Sequence, residues 1–149
     1  MKLKLGDLVL RDSIYFKKFT DVPFTGEVTG SEQGSFKNGK EEGPWVNYWD
    51  NGQLRWKGDY KNGTADGPWV TYYENGQLRT KGDFKNGTQK GPWVGYKREG
   101  TVDEEITGTY KDGVKQWNWM RQKRLQGLLN LSVRPLISPP SSVPHYHSQ

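Results

Sequence analysis

The chain has 149 residues, a formal net charge of +5, 32% hydrophobic residues, 13% aromatic residues and 19 glycines, and its mean hydropathy is −0.98. That length suits one domain, and so low an apolar content excludes a thick two-layer core, while the aromatic content argues against a wholly disordered chain. We therefore expect a thin sheet whose aromatic rings lie over backbone.

The positive charge is concentrated at the C-terminus. Residues 116–149 contain four basic residues and no acidic residue, which leaves 18 basic and 17 acidic residues in residues 1–115. Residues 1–115, with a net charge of +1, lack the strongly basic surface of nucleic-acid-binding domains, so no specific nucleic-acid partner is expected.

The N-terminal segment, residues 1–23, is predicted to be a capping hairpin. Residues 8–24 alternate apolar and polar side chains, as a half-buried strand does, and terminal units of repeat arrays usually need a cap. Asp7, Arg11 and Asp12 interrupt the apolar residues, so we find no signal-peptide core and no transmembrane stretch. A cytoplasmic protein is therefore expected.

Near-identical units with a 24-residue period occupy residues 24–115, the predicted repeat domain. Trp45, Trp69 and Trp93 are 24 residues apart, each within a Gly-Pro-Trp-Val tetrapeptide. The Asn-Gly pairs that begin at Asn51 and Asn75 favour two-residue hairpin turns, because both residue types tolerate positive φ. The sequence thus predicts an all-β meander of antiparallel hairpins, one per repeat.

These turns also predict a cross-strand register and two different faces. The predicted pairs are Trp69–Gly82, Phe84–Gly67, Tyr72–Arg79, Tyr60–Gly67, Gly58–Trp69 and Arg55–Tyr72. On one face each indole is expected to lie over flanking glycines, in the row Gly34, Trp45, Gly58, Trp69, Gly82 and Trp93. The opposite face is expected to carry a cation–π ladder of Tyr48, Arg55, Tyr72, Arg79 and Tyr96. Together with Lys57 and Lys81, this ladder is the predicted binding surface, for which an ordinary solvated face is the alternative.

The repeated residues resemble the MORN-repeat family. The matching pattern is Lys-Gly-Asp-Tyr-Lys-Asn-Gly followed by Gly-Pro-Trp-Val-x-Tyr-x-x-Asn-Gly, and the resemblance covers residues 24–115. It points to the bacterial MORN-variant, YwqK-like group, whose members are often described as antitoxins of toxin–antitoxin pairs. The resemblance implies an elongated single-layer sheet of stacked hairpins, with roles in scaffolding, protein binding and, in some members, membrane-lipid binding. It implies no catalytic motif and no cofactor.

The repeat pattern stops at Lys115, and residues 116–149 are predicted to be a basic, Pro/Ser-rich tail. A short helix over residues 116–131 would place five apolar side chains loosely on one side, although Gly127 weakens it. These side chains are Trp117, Met120, Leu125, Leu128 and Leu129. The prolines and serines that follow predict a disordered end. A membrane-surface helix with Trp117 and Trp119 at the interface, a cap over the sheet end and a non-native extension are three readings of this tail.

No constellation in the sequence carries catalytic chemistry. Asp59 and Asp83 recur with the repeat period, which favours a structural or surface role, since an active site is normally used once. His145 and His147 have a His-x-His spacing that could bind a metal weakly, but they lie in the predicted disordered end, which favours a solvated tail. With no cysteine, thiolate metal sites and disulfides are also excluded. We therefore expect no enzyme, no metal and no cofactor.

The leading functional hypothesis is a non-catalytic protein-interaction module, for example the neutralising partner of a bacterial toxin. The rival hypothesis is a module that binds anionic membrane surfaces through the tail and a basic face. Carbohydrate binding is a third hypothesis, against which the missing export signal counts. The identity of the partner and the oligomeric state stay open.

Overall fold

Strands follow one another along the chain with little else between them. The structure, a computed structural model, describes residues 2–117. A short 3₁₀ helix occupies Leu5–Asp7, and these residues contain no α-helix. The strands are β1 (Leu3–Lys4), β2 (Leu8–Arg11), β3 (Ile14–Lys17), β4 (Gly26–Thr29), β5 (Glu32–Lys37), β6 (Lys40–Tyr48), β7 (Leu54–Lys61), β8 (Thr64–Tyr72), β9 (Leu78–Lys85), β10 (Thr88–Gly95), β11 (Gly108–Lys111) and β12 (Val114–Gln116).

Ten of these strands form one open sheet in the order β1-β4-β5-β6-β7-β8-β9-β10-β11-β12. The pairing is antiparallel throughout except between β1 and β4, which are parallel. The predicted all-β, single-layer sheet of tandem hairpins is therefore confirmed. The predicted tail, residues 116–149, lies outside the described residues beyond Trp117, and the division of the chain at residues 23 and 115 stays a prediction.

Two kinds of turn alternate along the sheet, and the sequence analysis assigned one of them wrongly. At Asn62-Gly63 both residues have positive φ, 51° and 83°, and Lys61 pairs with Thr64, so this is the two-residue turn. At Asn75-Gly76 only Gly76 has positive φ, and the Tyr73 N–H donates to the Gln77 carbonyl at 2.9 Å. That loop therefore has three residues rather than the predicted two, a pattern in which the glycine supplies the left-handed position.

The extra loop residue changes the register at the ends of the strands but not in their middle. The pairs Trp69–Gly82, Phe84–Gly67 and Gly58–Trp69 are confirmed. Tyr72 lies opposite Leu78 rather than Arg79, because a bulge between Thr71 and Tyr72 absorbs the additional residue. A second bulge places Tyr60 opposite Ala65 rather than Gly67.

The aromatic side chains pack in a continuous row on one face, called here the aromatic face. Each indole covers the glycine of the preceding strand: a Cβ on Gly58 would lie 2.0 Å from Cε3 of Trp69, and Gly34 and Gly82 are covered in the same way. Neighbouring rings meet edge to face, with centroids 5.0–6.3 Å apart. The row is Phe36, Trp45, Tyr60, Trp69, Phe84, Trp93 and Tyr110. Such contacts contribute about 0.5–1.5 kcal/mol each beyond area burial, which explains how a thin sheet is stabilised without a second layer.

The N-terminal residues cover the first repeat. Strands β2 and β3 pair as an antiparallel hairpin, and the Tyr15 N–H of β3 donates to the Gly39 carbonyl at 2.8 Å. Leu8 belongs to the same buried cluster as Val28, Phe36 and Trp45. With this cover Trp45 is only 2% exposed, whereas Trp69, in the middle of the sheet, is half-buried.

Candidate functional site

A groove with a volume of about 820 Å³ runs across strands β6–β10, and its lining includes the proline and valine on either side of each tryptophan. Side chains alternate across a strand, so the proline and valine on either side of each tryptophan point away from the indole. From this alternation we infer that the groove lies on the face opposite the aromatic face, with the backbone of the tryptophans and glycines as its floor.

Two parallel rows of side chains form the walls of the groove. The Val/Lys wall follows the cross-strand pairs that link Val46, Lys57, Val70, Lys81 and Val94. The Pro/Asp wall consists of Pro44, Asp59, Pro68, Asp83 and Pro92. Because the walls are built from the Gly-Pro-Trp-Val and Lys-Gly-Asp segments, their composition repeats every 24 residues.

The walls combine apolar surface with opposite charges. Lys57 and Lys81 are exposed and stand on the Val/Lys wall, while Asp83 is exposed and Asp59 half-buried on the other wall. Within residues 2–117 the two salt bridges, Arg11–Asp21 and Lys85–Asp66, involve none of these four residues. The groove therefore offers a cationic row and an anionic row to a ligand.

The residues of the predicted binding surface do not lie together in the structure. Lys57 and Lys81 line the groove, whereas Tyr48 and Tyr72 end β6 and β8 and Tyr96 directly follows β10. All three tyrosines are half-buried and do not line the groove. Whether any of them contacts a partner stays a prediction.

The predicted cation–π ladder is wrong, because each arginine lies over a different aromatic ring from the one predicted. The Arg55 guanidinium carbon lies 4.4 Å from the ring centroid of Trp49, and Arg79 lies 5.6 Å from that of Tyr73. Arg55 thus contacts the residue after Tyr48, and Arg79 contacts the residue after Tyr72, because the bulge and the three-residue loop shift the chain there. Arg98 lies over Tyr73 as well, at 5.6 Å.

Trp49 and Tyr73 also join successive repeats, a role that the sequence analysis missed. The Trp49 indole N–H donates to the carbonyl of Tyr72 at 3.2 Å, and the Tyr73 hydroxyl donates to that of Tyr96 at 2.8 Å. The available signal was their 24-residue spacing with an aromatic ring at both positions. We call the region of Trp49, Arg55, Tyr73 and Arg79 the arginine edge.

Acidic side chains perturb titration at the N-terminal end of the sheet. Burial raises the pKa of Tyr60 to about 12, and the carboxylates of Glu41 and Glu32 add to the rise. Burial also raises the pKa of Glu32, assisted by Glu41 and opposed by Arg55. In both cases burial, which disfavours the charged form, is the larger cause of the raised pKa, and the nearby carboxylates are the smaller one.

Neither a metal-binding cluster nor a bilayer-crossing helix occurs within residues 2–117. Residues 2–117 contain no group of three or more His, Asp or Glu side chains that could hold a metal ion. They also contain no helix whose length and apolar character would let it cross a bilayer. His145 and His147 lie outside the described residues.

Comparison with known proteins relates the middle of the chain to one repeat family. The model of the MORN repeat variant matches residues 41–62 and 65–86. MORN repeats are non-catalytic modules that are generally associated with protein or membrane binding. Among curated proteins, no sequence matches this chain significantly.

Proposed function

We propose that this protein is a non-catalytic protein-binding module whose partner lies in the groove. The observation that carries this proposal is an apolar, charge-lined groove that crosses five neighbouring strands and is built from repeated side chains. Small binding sites in proteins are typically concave and mostly apolar, with a few placed polar groups, and this groove has that character.

The two other surfaces of the repeats fit a partner less well. On the aromatic face the rings are engaged with one another, edge to face, from Phe36 to Tyr110. On the arginine edge the guanidinium groups of Arg55 and Arg79 lie over rings of the chain itself. In the groove, by contrast, the ammonium groups of Lys57 and Lys81 have no carboxylate partner within residues 2–117.

The test compares three charge-reversal variants of the full-length chain, each changing two basic residues. The groove variant carries Lys57→Glu and Lys81→Glu, and the edge variant carries Arg55→Glu and Arg79→Glu. The control variant carries Lys37→Glu and Lys61→Glu, which are exposed lysines at the ends of β5 and β7, outside the groove. Each variant is used as bait in a lysate of the source cells, with cross-linking and mass spectrometry to identify what is bound.

We expect one protein to be recovered stoichiometrically by the unmodified chain and the control variant and to be lost with the groove variant. If the bound protein were lost only with the edge variant, the binding site would be the arginine edge rather than the groove. Equal recovery by all three variants would show that neither surface binds the partner, and the proposal would then be wrong.

A narrower form of this proposal is that the partner is a bacterial toxin which the chain neutralises. It rests on the resemblance of the repeats to antitoxin-associated MORN variants. The same capture experiment tests it, because the recovered protein would have to inhibit growth when produced alone and lose that effect when this chain is produced with it.

The alternative function is binding to anionic membrane surfaces through the tail. The observation in its favour is the four basic residues without an acidic residue in residues 116–149. Each basic side chain near an anionic membrane contributes about 1 kcal/mol, so binding of full-length protein to phosphatidylserine vesicles should fall steeply with salt. Co-sedimentation of full-length protein with such vesicles, but not of a chain truncated after Lys115, would support this alternative.

A further inference from the structure

The groove has a period that can be compared with the periods of possible ligands. Neighbouring strands lie about 4.7–4.9 Å apart, so equivalent wall residues in successive repeats, two strands away, are about 9.4–9.8 Å apart. Val46, Val70 and Val94 therefore span about 19 Å along the groove, and Lys57 and Lys81 stand one period apart.

A polyproline II helix matches this period. It rises about 3.1 Å per residue with three residues per turn, so residues three apart lie on the same side and about 9.3 Å from each other. In an extended β-strand, residues three apart point to opposite sides. In an α-helix, the seven residues of two turns span about 10.5 Å, which departs from the groove period by about 1 Å in every repeat.

The charges of the groove specify what the ligand carries. The side chains of a polyproline II helix form three columns along its axis. If one column lies on the backbone floor of the groove, each of the other two columns lies beside one wall. Acidic side chains in one of these columns would meet Lys57 and Lys81, and basic side chains in the other would meet Asp59 and Asp83. The prolines and valines between the charges complete an apolar bed for the third column.

We propose that the groove binds an extended polyproline II segment of a partner protein whose sequence repeats in threes, with an apolar, an acidic and a basic residue in each triplet. Two such triplets match the span from Val46 to Val94. This inference rests on the proposed function, since it names the kind of segment that the proposed protein-binding groove holds.

A second copy of this chain is the other occupant whose charges would match. Rotation of the groove face by 180° about the groove axis places Lys57 of one copy opposite Asp59 of the other, and valines opposite prolines. Two grooves facing each other would, however, leave both of their volumes unfilled, whereas protein interiors are close-packed. The concave shape thus favours an inserted segment over a flat contact between copies.

The experiment measures fluorescence anisotropy of labelled nine-residue peptides with full-length protein. The probe is three repeats of Pro-Glu-Arg, and its matched control contains the same residues in blocks, three prolines, three glutamates and three arginines. We expect the repeating peptide to bind at least about tenfold more tightly than the block peptide, which corresponds to about one well-placed charge pair per complex.

The Lys57→Glu, Lys81→Glu variant should lose this preference and bind three repeats of Pro-Arg-Arg more tightly than three repeats of Pro-Glu-Arg. The Lys37→Glu, Lys61→Glu variant, with the same net charge, should behave like the unmodified protein.

Three results would overturn the inference. Equal affinity for the repeating and block peptides, or no binding of either at millimolar concentration, would show that the groove does not read a period of three. Equal effects of the two lysine variants would show that the binding is only a net-charge effect. Reversible dimerisation in sedimentation experiments that is lost with the groove variant would identify a second copy as the occupant. If a cellular partner is still captured through the groove while the peptides fail, this inference falls and the proposed function stands.

Discussion

Replacing Gly58 by alanine tests how the aromatic face is built. The added Cβ would lie 2.0–2.4 Å from three ring carbons of Trp69, whereas carbon atoms in good contact are about 3.5–4.0 Å apart. The indole would therefore have to move by about 1.5 Å, away from its stacking contact with Trp56 and its edge contacts with Tyr60 and Phe84.

The expected loss of stability follows from these contacts. Overpacking of this kind costs about 1–3 kcal/mol, and each aromatic pair that is weakened costs about 0.5–1.5 kcal/mol. Alanine recovers about 0.5–1 kcal/mol relative to glycine in a strand. We expect the free energy of unfolding of Gly58→Ala to fall by about 2–3 kcal/mol, so that the urea midpoint falls by roughly 1–2 M.

Urea unfolding monitored by tryptophan fluorescence measures this loss, with Gly6→Ala as the control. No atom lies within 4 Å of a Cβ built on Gly6, so that substitution should change stability by less than about 0.5 kcal/mol. In a Trp69→Ala background Gly58→Ala should cost nothing, which makes the coupling between the two sites about 2–3 kcal/mol. If Gly58→Ala were equally destabilising without the indole, the ring would not be the reason for the glycine.

Three further predictions concern the turns, the links between repeats and the acidic end of the sheet. Tyr73→Phe removes the hydroxyl that bonds the Tyr96 carbonyl and should cost about 1 kcal/mol in urea unfolding, with little change in the aromatic packing. Asn62→Gly should leave stability within about 0.5 kcal/mol, whereas Asn62→Val should cost at least about 1–2 kcal/mol, because φ is 51° there; similar values for both would argue against a two-residue turn. Burial raises the pKa of Glu32 above 4.5 in the folded protein, so the folded state binds this proton more tightly than the unfolded chain does, and the stability contributed by Glu32 is lost as pH rises through the folded pKa. Glu32→Gln should therefore raise the melting temperature at pH 7 and flatten its dependence on pH above 4.5; a lower melting temperature at pH 7 would contradict this reasoning.

The central register could be predicted from sequence because several signals agree on it. The 24-residue period, the tryptophans and the interior glycines all require Trp69 to lie between Gly58 and Gly82, and one residue of slippage would move every indole to the other face. The register deduced from a two-residue turn was nevertheless correct in the middle of the strands, because the bulge between Thr71 and Tyr72 compensates for the extra loop residue.

The ends of the strands could not be predicted in the same way. Asn-Gly occurs in both kinds of turn, and the dipeptide does not show whether the asparagine adopts positive φ, as at Asn62, or a normal φ, as at Asn75. In the second case the Asn75 side chain accepts a hydrogen bond from the Gln77 N–H at 3.0 Å, which favours the longer loop. The resulting bulge moved Arg55 and Arg79 against Trp49 and Tyr73, so the predicted ladder lost its partners.

The groove was missed for a different reason. The sequence analysis followed the aromatic and basic residues, whose chemistry is conspicuous, and passed over proline and valine beside each tryptophan. Strand alternation alone would have placed Pro68 and Val70 on one face, opposite the indole of Trp69. That the same wall repeats across five strands is a property of the folded sheet and follows only from the cross-strand pairing.

Each repeat contacts mainly its neighbours, through edge-to-face rings and through bonds such as that from Trp49 to Tyr72. In such arrays a unit can be gained or lost by duplication or deletion of one stretch of the gene, since the units on either side keep their own contacts. Every such event would lengthen or shorten the groove by about 9.5 Å and leave its chemistry unchanged. If the groove holds a segment of a partner as proposed, the number of units sets the length of the segment that fits. Proteins of this design with more or fewer units would then hold longer or shorter segments, with no new side chain needed.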